Sequence, residues 1–325
     1  MTDSLLRTQP QPKCLLCGSA GKITHLQLQD HLFGVAGTWG LKTCENPSCG
    51  LAWLDPMPLT EDLALAYQQY YTHSADAQPR ASFWKRLDYG IYRRLNKLLG
   101  KLTGLHAQQQ RAAHLFLEPP CGKLLDVGCG NGRFLQRMRA VGWEVEGTDF
   151  DPKAAAAAHA EHGLTVRVGD LASIAYPDAQ FDVVTLQHLI EHVPDPLALL
   201  QECRRILKPQ GRLVLVTPNL ESWGHQYFAA AWRGLEPPRH LYLYARQNLQ
   251  NLATRAGFTQ YQAFTTATGA EYILGDSFKI LAGFSHHTPT SSHVFSKAWL
   301  LQYYELWLLR KHPEFGEELF LIAQK

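Results

Sequence analysis

Residues 124–135 read LLDVGCGNGRFL: an apolar run with an acid at Asp126, glycines at 128, 130 and 132, then a return to helical apolar spacing. A strand–turn–helix passage of this kind offers an incoming ligand a backbone without Cβ atoms. In a doubly wound sheet that ligand lies beyond the carboxyl ends of the strands. The dinucleotide fingerprint G-x-G-x-x-G requires a third glycine at 133, where this chain has Arg133. The triphosphate-cradling loop requires Lys-Ser or Lys-Thr after its glycines, and neither follows here. Both phosphate ligands therefore fit this turn poorly.

The next two strand-like stretches each end in an acid over the same edge of the sheet. VEGTD closes on Asp149 and is followed by Phe150; VGD closes on Asp170 and is followed by Leu171. An acid after the second strand can accept both ribose hydroxyls. One after the third can accept from an exocyclic amine such as that of adenine. A carboxylate-lined edge attracts a cationic nucleoside and repels a pyrophosphate.

The same rhythm runs outward from the turn. Helical spacing from Asn131 to Val141, the alanine-rich PKAAAAAHAEHG, FDVVTLQ, PLALLQECRRILKP and GRLVLVTPN alternate helix and strand in order. Strands alternating with helices of this length predict an α/β fold, a parallel sheet covered on both faces. ARQNLQNLATRAGF then reads as a helix and GEELFLIAQK as a terminal strand. Residues 82–102 place Trp84, Leu87, Ile91, Leu95, Leu98 and Leu102 at helical spacing opposite Lys85, Arg86, Arg93, Arg94 and Lys97. That pattern predicts a connecting helix docked by its apolar face, with a membrane-surface or polyanion-facing helix as the alternative.

These motifs, with EHVPDP after FDVVTLQ, resemble the successive motifs of class I S-adenosylmethionine-dependent methyltransferases over about residues 121–220. The resemblance implies a doubly wound, mostly parallel seven-stranded sheet that binds S-adenosylmethionine. It implies that Asp126 and the Gly128–Cys129–Gly130–Gly132 turn hold the methionine part, Asp149 with Phe150 the ribose, and Asp170 with Leu171 the adenine. Gln187, at the end of the fourth strand, joins the same cofactor set.

Four of the seven cysteines fall in the first fifty residues, as Cys14-x2-Cys17 and Cys44-x4-Cys49. Two such pairs can supply four thiolates to one tetrahedral zinc ion, and a closed thiolate site is structural. A module of ~50 residues has too little core to fold alone, and a metal is a usual remedy. The expected layout is a zinc-binding module over 1–72, a helical connector over 73–118 and a methyltransferase domain over 119–325. Substrate-pocket or lid insertions are expected at about 218–245 and 270–312. The cysteine layout and the WRGLEPPRHLYLY stretch are similar to bacterial methyltransferases of polysaccharide and secondary-metabolite pathways, some of which methylate nucleotide-linked deoxysugars.

Methyl transfer to a hydroxyl or carbon acid needs an aligned acceptor and a group that removes a proton. His188, directly after the fourth strand, and His225 and His240, in the aromatic segment after the fifth, are the candidate bases because imidazole titrates near neutrality. Glu191 and His192 read as mainly structural, and Arg239 as a partner for a substrate phosphate or carboxylate. The expected reaction is methyl transfer to a small molecule, a sugar or glycan intermediate first. An RNA methyltransferase gripped by the zinc module and a non-catalytic cofactor-binding protein are the alternatives. A net charge of +2 gives no global footprint for nucleic acid. The absence of an export-type N-terminus and of an apolar run long enough to cross a bilayer predicts a cytoplasmic protein. Residues 270–312 leave open a substrate pocket, a dimer face or a peripheral membrane contact.

Overall fold

Consecutive residues of the central strands point to opposite faces of the sheet, and the packing shows it directly. Leu125, Val184 and Leu215 join one hydrophobic cluster, whereas their neighbours Leu124, Val183 and Val214 join the other. Both faces are thus buried, which is why these stretches read as near-continuous apolar runs. The structure, a computed structural model, describes residues 6–67, 94–285 and 292–325, with 292–296 described by backbone alone.

The central unit runs β6 (Lys123–Val127), α3 (Arg133–Ala140), β7 (Glu144–Asp149), α4 (Pro152–His162), β8 (Val166–Val168), α5 (Leu171–Ile174) and β9 (Phe181–Gln187). It continues through α6 (Pro196–Ile206), β10 (Leu207–Pro218), α7 (Trp223–Phe228), α8 (Arg246–Arg255), β12 (Gln260–Thr266), α9 (Ala270–Leu281), α10 (Ser292–Leu308) and β13 (Glu318–Gln324). The seven strands lie in the order β8-β7-β6-β9-β10-β13-β12. β13 runs antiparallel to both its neighbours, and the pairs from β8 to β10 are parallel. The strand order reverses between β6 and β9, so the crevice beyond the end of β6 is the place for a ligand.

Local signals set the boundaries as expected around the turn. Asp151 caps α4 by accepting from the Lys153 amide, Pro152 fills the first helical position, and Gly163 ends the helix at φ +61°. After Pro58 the chain forms a 3-10 helix over Thr60–Tyr67. Of the amphipathic segment 82–102, residues 82–93 lie outside the described residues. Its described end continues as helix α1 (94–103), where Leu95, Leu98 and Leu102 are exposed by 46%, 55% and 74%. The expected docking face is open along this stretch, and α1 instead touches α10 through Tyr303 Oη on Asn96 Oδ1 (2.7 Å).

Before the central unit stands an antiparallel sheet of β2 (Gly21–Leu28), β3 (Trp39–Cys44) and β4 (Ala52–Asp55). Its fourth strand, β11 (Tyr242–Leu243), comes from the segment after β10, pairing Tyr242 with Trp53 and Leu243 with Ala52. β1 (Thr8–Gln9) pairs separately with β5 (Met57–Pro58). Trp53, Leu54, Leu243 and Tyr244 belong to the same cluster as Leu125 and Val184, so the N-terminal sheet and the central sheet share one core.

Candidate functional site

Beyond Val127 the chain turns through glycines held in the left-handed region. At Gly130 φ is +53°, no atom lies within 4 Å of where a Cβ would stand, and the residue lines a cavity. Its amide donates to Asp149 Oδ2 at 2.8 Å, which binds the turn to the end of β7. Gly128 is bare for another reason: a Cβ there would come 2.9 Å from Leu189 Cδ1. Cys129 is buried and faces β7, its amide on the Thr148 carbonyl at 3.0 Å. Gly132 forms the N-cap of α3.

The three acids of the sequence pattern play different parts. Asp126 is buried under the turn, where its Oδ1 accepts from Thr185 Oγ1 (2.6 Å) and Gln187 Nε2 (3.2 Å). Burial pushes its carboxyl up to about 7 against those hydrogen bonds. Asp149 lines the cavity, accepts from the amides of Gly130 and Asp151, and is likewise raised by burial. Asp170 caps α5 through the Ser173 amide at 2.7 Å, and neither it nor the buried Leu171 lines the cavity. Phe150, half exposed, does line it.

The cavity encloses about 390 Å³. One wall is the turn, Asp149 and Phe150; facing it are His188, His192, Arg233, Glu236, His240 and, from α9, Tyr272, Ile273 and Asp276. Tyr67 reaches it from the N-terminal part. Sequence reasoning did not single out Tyr67, Arg233, Glu236 or the α9 residues. They come from distant segments, and only the helical spacing of 272, 273 and 276 hints at a common face.

The candidate bases separate clearly. His188 sits at φ +47°, Nδ1 3.5 Å from Glu191 Oε1 and Nε2 3.6 Å from Glu318 Oε1. Burial opposes its charge, but hydrogen bonds and charge from the two glutamates outweigh it and raise the imidazole to about 10. With its imidazole raised and both ring nitrogens facing carboxylates, His188 is poorly placed to take a substrate proton, unlike the expectation for it. His225 lies outside the cavity lining, with Nδ1 donating to the Leu220 carbonyl (2.7 Å) and Nε2 3.0 Å from His25 Nε2. It joins α7 to β2 and has no place at the cavity. His240 lines the cavity with Nδ1 donating to the Gly234 carbonyl (2.7 Å), and burial lowers it to about 4. Its Nε2 lies 3.3 Å from Glu236 Oε2, so both ring nitrogens face protein oxygens and neither is left for a substrate proton.

Arg239 is fully buried and cannot meet a substrate anion. Its guanidinium donates to Asp30 Oδ2 (2.9 Å), Glu236 Oε1 (2.9 Å) and the Ala66 carbonyl (3.1 Å), over the Phe33 ring. Glu191 is fully buried and accepts from Thr217 Oγ1 at 3.0 Å; burial pushes its carboxyl up, yet His188, His192 and His240 hold it down at about 2. His192, expected to be structural, lines the cavity, with Nδ1 3.0 Å from the Arg239 carbonyl and 2.9 Å from Tyr67 Oη. Ligand atoms of Glu191, His192 and His240 come within 4.8 Å of one another, a set able to take a divalent ion.

A second convergence lies on the N-terminal sheet. Cys14 and Cys17 flank a turn before β2, Cys44 ends β3 and Cys49 precedes β4. Their four sulfurs fall within 4.8 Å, with Cys14–Cys49 at 3.6 Å and Cys17–Cys44 at 3.3 Å. All four thiols are free. Ligands at 2.3 Å around a tetrahedral zinc would stand about 3.8 Å apart, so the cluster fits the ion.

The sheet order, the reversal at β6 and the acid-edged crevice over a glycine turn define a class I S-adenosylmethionine-dependent methyltransferase. The methyltransferase-domain family matches residues 83–263, over half the chain, and the chain belongs to that family. It is similar to ubiquinone biosynthesis O-methyltransferases. The protein from Xanthomonas axonopodis pv. citri is 40% identical over 109 residues, covering 32% of this chain and 46% of that one. The protein from Haemophilus ducreyi is 44% identical over 107 residues, covering 30% and 45%. The chain spans about half the length of these curated relatives. Among solved structures, a methyltransferase from Archaeoglobus fulgidus is 20% identical with a TM-score of 0.46, covering 70% of this chain and 98% of that one.

Proposed function

We propose that the chain methylates a hydroxyl of a small molecule held between the glycine turn and the 233–240 segment, with His192 as proton acceptor. The observation that carries this reading is the single cavity lined by the cofactor turn on one side and by imidazoles on the other. Gly130, Asp149 and Phe150 would hold S-adenosylmethionine, which supplies an electrophilic methyl group when bound. A bare glycine facing open space and a carboxylate at the crevice edge suit a cationic nucleoside. Among the described residues no hydrogen bond engages His192 Nε2. The Arg239 carbonyl can only accept, so the proton lies on Nδ1 and the Nε2 lone pair is left for the acceptor. His188 lines the same cavity, held between Glu191 and Glu318.

Arg233, Glu236 and Asp276 give the wall charged anchors, which supports a polyhydroxylated acceptor such as a sugar or glycan intermediate. The O-methyltransferase names of the relatives support oxygen as the methylated atom. Exposed leucines of α1 interleaved with Arg94, Lys97 and Lys101 support a peripheral membrane contact. Among the described residues no helix is long and apolar enough to cross a membrane. Four cysteines at metal-ligand spacing with converging sulfurs support one structural zinc and, with it, a reducing, cytoplasmic setting.

Calorimetry and turnover test the core of this reading. Asp149→Ala should lose cofactor affinity by about ten- to a hundredfold, the worth of hydrogen bonds to a charged group. His192→Asn should bind S-adenosylmethionine normally and lose methyl transfer by about 10²–10⁴-fold across a panel of hydroxylated acceptors. Wild type that does not bind the cofactor, or His192→Asn that turns over normally, refutes it.

A further inference from the structure

We infer that Tyr67, delivered by the N-terminal part of the chain, is a positioning residue that locks the His192 imidazole in its proton-accepting tautomer. The inference rests on the reading of His192 given above. Tyr67 is the last residue of the 3-10 helix after β5 and lines the cavity. Its hydroxyl lies 2.9 Å from His192 Nδ1, and its ring stands edge-on to His192 and to Phe150 at 6.0 and 5.6 Å between centroids. The same side chain thus touches the proton acceptor and the cofactor edge of the cavity.

The hydrogen bonds dictate its role. His192 Nδ1 meets two oxygens, and the Arg239 carbonyl requires a proton on that nitrogen. Tyr67 Oη is therefore a second acceptor of the Nδ1–H. Both acceptors are tied to one residue. Arg239 supplies the carbonyl under His192, while its guanidinium grips the carbonyl of Ala66, next to Tyr67. Asp30, from the loop after β2, holds the same guanidinium at 2.9 Å. The N-terminal sheet is in this way a wall of the acceptor site, and its docking sets the imidazole.

Two acceptors on Nδ1–H fix the plane of the ring and keep the lone pair on Nε2. The charged and titratable groups around His192 are Tyr67 from the N-terminal part, His188 and Glu191 from the end of β9, and Glu236, Arg239 and His240 from the segment after β10. Tyr67→Phe keeps the ring and removes one acceptor.

The test uses the full chain labelled with ¹⁵N-histidine, with His192→Asn assigning the signal. Long-range ¹H–¹⁵N spectra should show His192 protonated on Nδ1 in wild type. In Tyr67→Phe, where the Arg239 carbonyl is the acceptor left on Nδ1, the Nε2-protonated tautomer should become detectable. Turnover of Tyr67→Phe should fall about tenfold with acceptor KM and cofactor Kd unchanged. Asp30→Asn, which loosens Arg239, should move the spectrum in the same direction. An unchanged tautomer in Tyr67→Phe overturns the positioning role even where His192→Asn is inactive. An active His192→Asn overturns the underlying reading, and the inference with it.

Discussion

His188 holds an unusual backbone angle and an unusual charge, and the two share an origin. Its amide on the Val216 carbonyl (2.9 Å) forces the turn that places the ring between Glu191 and Glu318. A non-glycine residue in that region costs about 1–2 kcal/mol. The stability it contributes has a defined pH window. The folded value near 10 exceeds the unfolded value of about 6.5, so the contribution is full below about pH 6.5 and vanishes as pH rises through about 10. His188→Gln should therefore lower the urea midpoint at pH 6.5 and converge with wild type above pH 10; parallel curves at all pH would refute the ion pairing. The LQHLIEHVPDP stretch made the imidazoles legible but not their protonation. Glu318, which fixes one of them, is 130 residues away in sequence (318 minus 188). For the same reason a mobile-looking arginine, Arg239, proved to be a buried tie: its partner Asp30 lies in another part of the chain.

At the scale of elements, periodicity and capping carried the reading wherever an element was decided locally. α4 shows this, with Asp151, Pro152 and Gly163 all in place. Asp151→Ala should cost about 1 kcal/mol in chemical denaturation and leave cofactor affinity intact. Gly130→Val should do the reverse, with cofactor binding lost in calorimetry and stability falling by only about 1–2 kcal/mol. Elements decided by tertiary contacts were less legible. The apolar stripe of α1 predicted burial that its leucines do not have. α10 meets the entry to β13 through a buried carboxyl pair that no local pattern announced, with Glu305 Oε1 accepting from the Glu317 amide at 2.8 Å. Burial raises both, Glu317 to about 7. The protonated pair's contribution is complete below the unfolded value of about 4.5 and is lost as pH rises, that of Glu317 through about 7. Glu305→Gln, which keeps an accepting oxygen, should flatten the fall of Tm between pH 5 and 8; an unchanged slope would show that the pair is ionised.

For the whole molecule, the cysteine spacing announced a four-sulfur cluster, while the attachment of its sheet was hidden. Cys14, Cys17, Cys44 and Cys49 converge as their spacing required. Purified protein should carry one zinc per chain, lost in Cys14→Ser with a fall in Tm, and folded metal-free wild type would refute the site. What spacing could not reveal is that the N-terminal sheet takes its last strand from residues 242–243 and shares a core with the central sheet. That pairing has a consequence in time. The chain emerges from the ribosome N-terminus first, so β4 waits for almost two hundred further residues before its neighbour β11 exists. Until then one edge of β4 is open, and an open edge is a template for wrong partners. The four thiols, all within the first 49 residues, emerge well before that edge is covered. Capture of the proposed zinc would therefore precede assembly of the cavity, with the cysteine cluster holding the waiting strands in register while the rest of the chain is made.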